Sequence, residues 1–288
     1  MDSPASKSII APYLAPLTPI ATSVHRRGTL TGPVRCLLCD IYGTLFISGC
    51  GDVGIARRQH QPKELIAQLL NQHKLSIDPQ KLLQQLYHTI DAHHQQSMAK
   101  GVAYPEVRIE KIWKTLLPID DDTKVREFAM AFEMIVNPVW PMPYVEELLK
   151  ACRFYRIRLG VISNAQFYTP YLFEWFLGQN LDELGFDEAL TFFSYAWGHA
   201  KPSPLLFETA LQRLEQMGIS ARQTVYIGND MRKDIIPAKK VGFQAVLFAG
   251  DARSLRMDTD SFDDGSHVPD LVVTDLQELI ECLGPRKK

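Results

Sequence analysis

Val34-Arg35-Cys36-Leu37-Leu38-Cys39-Asp40-Ile41-Tyr42-Gly43-Thr44-Leu45-Phe46 holds the key to the architecture. A short apolar run that ends on an acid and then a turn-forming glycine reads as a buried strand feeding a loop. Side chains alternate faces along a strand, so Cys36 and Cys39, three apart, point to opposite sides and make a poor metal or disulfide pair. They read as buried structural thiols.

Toward the C-terminus, beyond Cys152, short strands alternate with helices. Strands are expected at Arg158–Ser163, Leu190–Tyr195, Thr224–Gly228, Gln244–Phe248 and Leu271–Val273. Helices are expected at Pro170–Leu177, Ser203–Met217, Asp234–Val241 and Asp275–Cys282. This alternation specifies an α/β fold, a Rossmann-like parallel sheet with helices on both faces. Between the first strand and the rest, from Pro62 to about Cys152, the apolar period is helical. Pro62, Pro79, Pro105 and Pro143 each open a helical pattern where a first-turn proline is tolerated. Asp78 is placed to cap the helix opened by Pro79, whose Leu82, Leu83, Leu86 and Ile90 share one face, and Gly101 is placed to end it. Glycines 49, 51 and 54 mark a loop or tight hairpin at the start of this stretch. The expected organisation is an extended N-terminal arm over 1–33, an α/β core over 34–50 and 150–288, and an inserted helical domain over 51–149. Thirteen of the first 33 residues are Ser, Thr or Pro, the basis for reading an arm.

Composition excludes several classes. With 31 Lys and Arg against 33 Asp and Glu, the net charge is −2, so electrostatic binding to nucleic acid or an anionic membrane is not expected. A hydrophobic content of 46% rules out a disordered chain. No run of about 18 apolar residues is present to span a bilayer, and prolines 12, 16 and 19 spoil the segment 8–24 as a signal core. Five cysteines in a chain of 288 residues suit a reducing cytoplasm.

Chemistry collects at four strand ends, where open α/β sheets build their sites: Asp40 with Thr44, Ser163 with Asn164, Lys201, and Asp230 with Asp234. A carboxylate such as Asp40 can act as a nucleophile toward phosphorus once positive charge lets two anions meet. Magnesium held by Asp40 and Asp230, together with the Lys201 ammonium, would supply that charge. Thr44, Ser163 and Asn164 offer short donors for phosphate oxygens, and Asp234 is placed to bind a metal-bound water or to orient Lys201.

These segments, Asp40-Ile41-Tyr42-Gly43-Thr44-Leu45, Val161-Ile162-Ser163-Asn164, His199-Ala200-Lys201-Pro202 and Ile227-Gly228-Asn229-Asp230-Met231-Arg232-Lys233-Asp234, resemble the haloacid dehalogenase (HAD) superfamily. The helical stretch is similar in position and length to that family's C1-type cap. The resemblance implies Asp40 as nucleophile, Thr44 and Ser163 as phosphate binders, Lys201 as the charge-stabilising lysine, and Mg2+ held by Asp40, Asp230 and the backbone carbonyl of Tyr42. Tyr42 departs from the pattern. Phosphatases of the family usually carry a second Asp there as general acid and base, whereas a Tyr is similar to the 2-haloacid dehalogenases, which need no metal. Asp230 is absent from those dehalogenases, and two acids beside each other call for a cation.

The expectation is therefore a Mg-dependent phosphatase of a small phosphorylated molecule, in a cytoplasmic monomer or homodimer. The alternatives are a dehalogenase acting at carbon and a non-catalytic HAD-like binding protein. His60, His73, His88, His93 and His94 read as solvated helix faces. Arg57 and Arg58 are candidate anion contacts. The aromatic cluster Phe167, Tyr168, Tyr171, Phe173, Trp175 and Phe176 reads as core or dimer interface, with a substrate wall as second use.

Overall fold

The structure, a computed structural model, describes residues 7–50, 62–257 and 268–284. Gly51, Gly54, Arg57, Arg58 and His60 lie outside the described residues.

Strand β2 (Cys36–Cys39) is buried on both faces and lies inside a seven-stranded sheet. It pairs in parallel with β5 (Arg158–Ser163) on one side and β7 (Thr224–Gly228) on the other. Beyond these lie β6 (Phe186–Phe193) at one edge, and β8 (Gln244–Phe248) and β9 (Leu271–Val273) toward the other. The alternation of side chains divides the core into two halves. Leu37, Cys39, Val161, Ile227 and Val246 face one cluster, while Cys36, Leu38, Ile162, Tyr226 and Leu247 face the other. Cys36 and Cys39 thus lie on opposite faces, and burial pushes both thiols up. There is no disulfide among the described residues.

Register places the site. Cys39 aligns with both Val161 and Ile227, so Asp40, Ser163 and Asp230 all emerge from the same edge of the sheet. The third strand of the expected series begins earlier, at Phe186, and ends at Phe193, with a short helical turn over Ser194–Trp197. In place of a helix from Asp234, a wider turn over Met231–Ile235 precedes a helix over Ile236–Lys240. Its start is fixed by Asp230 Oδ1, which accepts from the amides of Arg232 (2.8 Å) and Lys233 (2.9 Å).

The helical insertion leaves and re-enters through an antiparallel ribbon, β3 (Phe46–Ser48) against β4 (Val139–Pro141). The loop or hairpin expected at glycines 49, 51 and 54 lies mostly outside the described residues, and the described partner of β3 is β4, beyond the insertion. Gly49 N donates to Pro138 O at 2.8 Å, and a Cβ on Gly49 would come within 2.8 Å of the Pro138 ring. Between the two strands run α2 (Lys63–Gln72), α3 (Pro79–Ala99), α4 (Ile109–Leu116) and α5 (Asp122–Val136). Asp78 caps α3 by accepting from Lys81 N at 2.8 Å, and Gly101 follows its end with φ +90°. Trp113 packs edge-on against Phe128 and Phe132 to lock α4 on α5. His73 stands edge-on to Phe128, half-buried, so it is not a solvated residue. Helix α6 (Val145–Phe154) packs on β5 and on the last helix, α11 (Leu276–Leu283), so the division expected at 149/150 falls inside a helix lying on the sheet.

The N-terminal segment begins with a helical turn, α1 (Lys7–Ile10), against α5, with Ile10 fully buried. It then runs extended to β1 (Arg27–Gly28), antiparallel on β9. Tyr13 OH donates to Gln72 Oε1 on α2, and Thr22 Oγ1 to Ala249 O on the core. The arm therefore links the sheet edge to the insertion.

Candidate active site

The floor of the site is built from the C-terminal ends of β2, β5 and β7. Lys201 Nζ sits between Asp40 Oδ1 (2.8 Å) and Asp234 Oδ1 (2.6 Å), and it also donates to Tyr226 OH (3.0 Å). All are buried: side-chain exposure is 3% for Lys201, 9% for Asp40 and 1% for Asp234. Ser163 Oγ donates to Asp40 Oδ1 at 2.8 Å. Burial pushes Asp40 up to about 6; Lys201 and Ser163 pull it down, and Asp234 adds to the rise. Burial pulls the Lys201 ammonium down, but Asp234 and Asp40 outweigh it and hold it charged. Asp234 positions Lys201 and also accepts from Asp230 N at 3.0 Å. Glycine at 228 is required here, since a Cβ would stand 2.4 Å from the Asp234 carboxyl.

The expected phosphate donors are placed as follows. Thr44 is fully buried and its hydroxyl donates to Asn229 Oδ1 at 3.1 Å. Asn164 brackets the backbone of Lys201, accepting from its amide at 2.6 Å and donating to its carbonyl at 3.3 Å, so its side chain fixes the lysine. Gly43, at φ +81°, makes the turn that lets Ser254 and Asn229 close over the loop after Asp40. Tyr42 lines the cavity, its hydroxyl 2.9 Å from Thr169 Oγ1, and burial pushes the phenol further above its ordinary value.

Above this floor lies a cavity of about 480 Å³, between the sheet and the insertion. Asp40, Asp230, Lys201, Lys233 and Arg256 line its lower end; Leu86, Ile90, Trp113, Phe132 and Val136 line its roof. Tyr168 of the aromatic cluster is part of the wall, while Phe167, Phe173 and Trp175 are buried in the core. His94 also faces the cavity, in contrast to the solvated reading of its helix face. Several wall residues had no signal in the sequence. Glu133 on α5 accepts from Tyr168 OH (2.8 Å) and Asn137 Nδ2 (3.0 Å), and burial raises its carboxyl. Glu106 accepts from Ser194 Oγ (2.8 Å) and Gln166 Nε2 (3.2 Å), where the segment before α4 returns to the core. Arg256 is brought in by backbone pairing with Asn229 and Met231. A glutamate on a helix and an arginine in a loop are indistinguishable from solvated residues until the fold brings them together.

Among the described residues no cluster of three His, Cys, Asp or Glu side chains is arranged to hold a metal. The carboxylates that line the floor nearest Lys201 and Lys233 include Asp40 and Asp230. Hard oxygens in this small number suit Mg2+, which keeps several waters. The Asp230 carboxyl is raised by burial and then by Asp234, while Lys233 pulls it back down. The residues fit the ion.

Comparison with known proteins agrees with this geometry. A family model described as HAD-hydrolase-like matches residues 199–279, which include Lys201, Asp230 and Asp234. Over that part the chain is similar to HAD-like hydrolases, the family its sequence motifs resemble. A 153-residue stretch is 30% identical to glyceraldehyde 3-phosphate phosphatase of Methanocaldococcus jannaschii, covering 51% of this chain and 58% of that protein. The chain thus matches a little over half the length of that relative. Among solved structures, a 2-haloacid dehalogenase from Pseudomonas syringae pv. Tomato DC3000 superposes with TM-score 0.54 at 20% identity, over 87% of this chain and 98% of that one. A HAD phosphatase from Thermococcus onnurineus gives TM-score 0.55 at 18% identity with the same coverages. These are likenesses of the HAD fold, a sheet flanked by helices. No helix among the described residues is long and apolar enough to cross a membrane.

Proposed function

We propose that this chain is a Mg-dependent phosphatase of a small phosphorylated molecule, working through an aspartyl-phosphate on Asp40. The observation that carries the reading is the buried Asp40–Lys201–Asp234 array facing a cavity that Asp230 also lines. An Asp40 oxygen forms the new bond to phosphorus as the P–O bond to the alcohol breaks; the alkoxide takes a proton from water and leaves as the alcohol. Water then attacks the aspartyl-phosphate, releasing phosphate and restoring the carboxylate. Lys201 keeps positive charge beside Asp40 through both steps, and Ser163 holds the reacting carboxyl in place. Asp40, Asp230 and the Tyr42 carbonyl would hold Mg2+, whose charge would shield the two anions from one another. The molecule acts on a free small substrate, as a cytoplasmic monomer or homodimer.

Tyr42 supports a second reading, a 2-haloacid dehalogenase in which Asp40 displaces halide from carbon and the ester is hydrolysed. The two separate in one experiment: release of phosphate from a panel of phosphate esters, and of halide from a 2-haloacid, with and without chelation. Phosphate release that is lost on chelation and restored by Mg2+ is expected. Halide release unaffected by chelation, without phosphate release, would replace the first reading with the second.

A further inference from the structure

We infer that the substrate is a phosphate ester of a predominantly apolar alcohol, its hydrocarbon body lying under the insertion, and not a polyhydroxylated sugar phosphate. This rests on the phosphatase reading of the floor and concerns the other end of the same cavity.

The space above the floor, about 480 Å³, falls within the range of small-molecule sites. Its roof is hydrocarbon: Leu86 and Ile90 from α3, Trp113 from α4, and Phe132 and Val136 from α5. Polar side chains do occur in the walls, but several of them are already satisfied by one another. Asn137 Oδ1 accepts from Ser48 Oγ and Cys50 N, and its amide donates to Glu133. The other Glu133 oxygen is held by Tyr168. Glu106 and Gln166 bond to each other, to Ser194 and to the backbone of Val107 and Ile109. Tyr42 is tied to Thr169.

A sugar brings many hydroxyl groups, each of which must exchange water for a protein partner. Here it would meet mostly hydrocarbon, and several partners that must first break a bond already made. A hydrocarbon body asks for no such exchange and gains from leaving water. At about 0.8 kcal/mol per buried methylene, each added carbon is worth about fourfold in affinity.

Competitive inhibition reads this without depending on turnover of the test compound. With p-nitrophenyl phosphate and Mg2+ as the reporter reaction, inhibition constants are measured for n-propyl, n-butyl, n-pentyl and n-hexyl phosphate. Glycerol 3-phosphate, which is propyl phosphate with two added hydroxyls, is measured beside them. The expected result is a fall of about threefold to fourfold per methylene, and a propyl phosphate at least about tenfold tighter than glycerol 3-phosphate. Val136→Asp, checked for folding by its melting curve, should flatten the series by placing a charge in the roof. A flat series in the native protein, or glycerol 3-phosphate binding as tightly as propyl phosphate, overturns the inference and leaves the phosphatase reading standing. Absence of any Mg-dependent hydrolysis of the reporter, or of acetyl phosphate, overturns both.

Discussion

The floor and the roof of the cavity are made by different physics. In the floor, every side chain has a fixed neighbour at hydrogen-bond distance: Lys201 lies 2.8 Å from Asp40 and 2.6 Å from Asp234. In the roof, Trp113, Phe132 and their neighbours need only fill volume and exclude water. The floor tolerates one residue type at each place because charge, reach and donor geometry are all specified. Many apolar combinations would serve in the roof. The contrast assigns chemistry to the sheet and selection to the insertion, and it can be attacked from either side.

The largest effect is expected at Asp40, the proposed nucleophile. Asp40→Asn keeps the shape and the hydrogen bond from Ser163 but offers an amide in place of a carboxylate. Turnover should fall by at least about a thousandfold, in line with losing a covalent nucleophile, with the melting temperature little lowered. Phosphate release near the native rate would show that the floor is not where the reaction occurs. Next comes Lys201→Met, which leaves Asp40 and Asp234 facing each other in a buried site. Removing one member of such a group costs about 3–5 kcal/mol, and Asp40 should be driven toward its protonated, non-nucleophilic form. A thermal melt and a rate measurement should both show the loss, the rate by at least about a hundredfold. A Lys201→Met protein as stable as the parent would mean that the two carboxyls do not share a site.

The same contrast explains what could be read in the sequence. Asp40, Lys201, Asp230 and Asp234 were legible because each ends or follows a strand of high apolar content, and parallel register then brings them together. Thr224–Gly228, Gln244–Phe248 and Leu271–Val273 match the expected strands residue for residue, since uninterrupted apolar runs admit little else. Ribbon strand β4 was not legible: Val139-Trp140-Pro141 is three residues long, contains proline, and owes its existence to pairing with a segment on the far side of the insertion. Glu133 and Glu106 were hidden for a related reason. Helical spacing places a glutamate on a face, but only packing says whether that face meets water or Tyr168. The N-terminal segment gave a composition typical of an arm, while the burial of Ile10 depends on α5, far away in sequence.

Tyr42 sits where floor meets wall. Its hydroxyl is engaged by Thr169 and burial makes it an even weaker acid than a free phenol. Leaving groups that need a proton should therefore react slowly. Tyr42→Asp introduces a carboxylic acid beside the nucleophile, and a positioned acid contributes about 10²–10⁴-fold at best. Lost packing will offset part of that. A gain of about tenfold on alkyl phosphates, with a smaller one on aryl phosphates, is the expected outcome of parallel rate measurements. An equal response on both classes would mean that protonation of the leaving group is handled elsewhere in the cavity.

The smallest effect tests whether the upper cavity is a low-dielectric environment at all. Burial raises the Glu133 carboxyl, and the bonds from Asn137 and Tyr168 recover only part of the cost. A carboxyl whose pKa is higher in the folded than in the unfolded chain contributes its full stability below the unfolded value, about 4.3. That contribution is lost as pH rises through the folded value, because the native state then carries a poorly solvated charge. Glu133→Gln removes the titration while keeping the shape: its oxygen can accept from Asn137 and its amide can donate to the Tyr168 oxygen. The variant should melt a degree or two above the parent at pH 8, consistent with about 1 kcal/mol in a chain of this size, and the gap should close toward pH 5. Melting curves across that range decide it. A difference that does not change with pH would mean that Glu133 titrates as it does in water, and a wall that hydrates a carboxylate so well would also welcome hydroxyl groups.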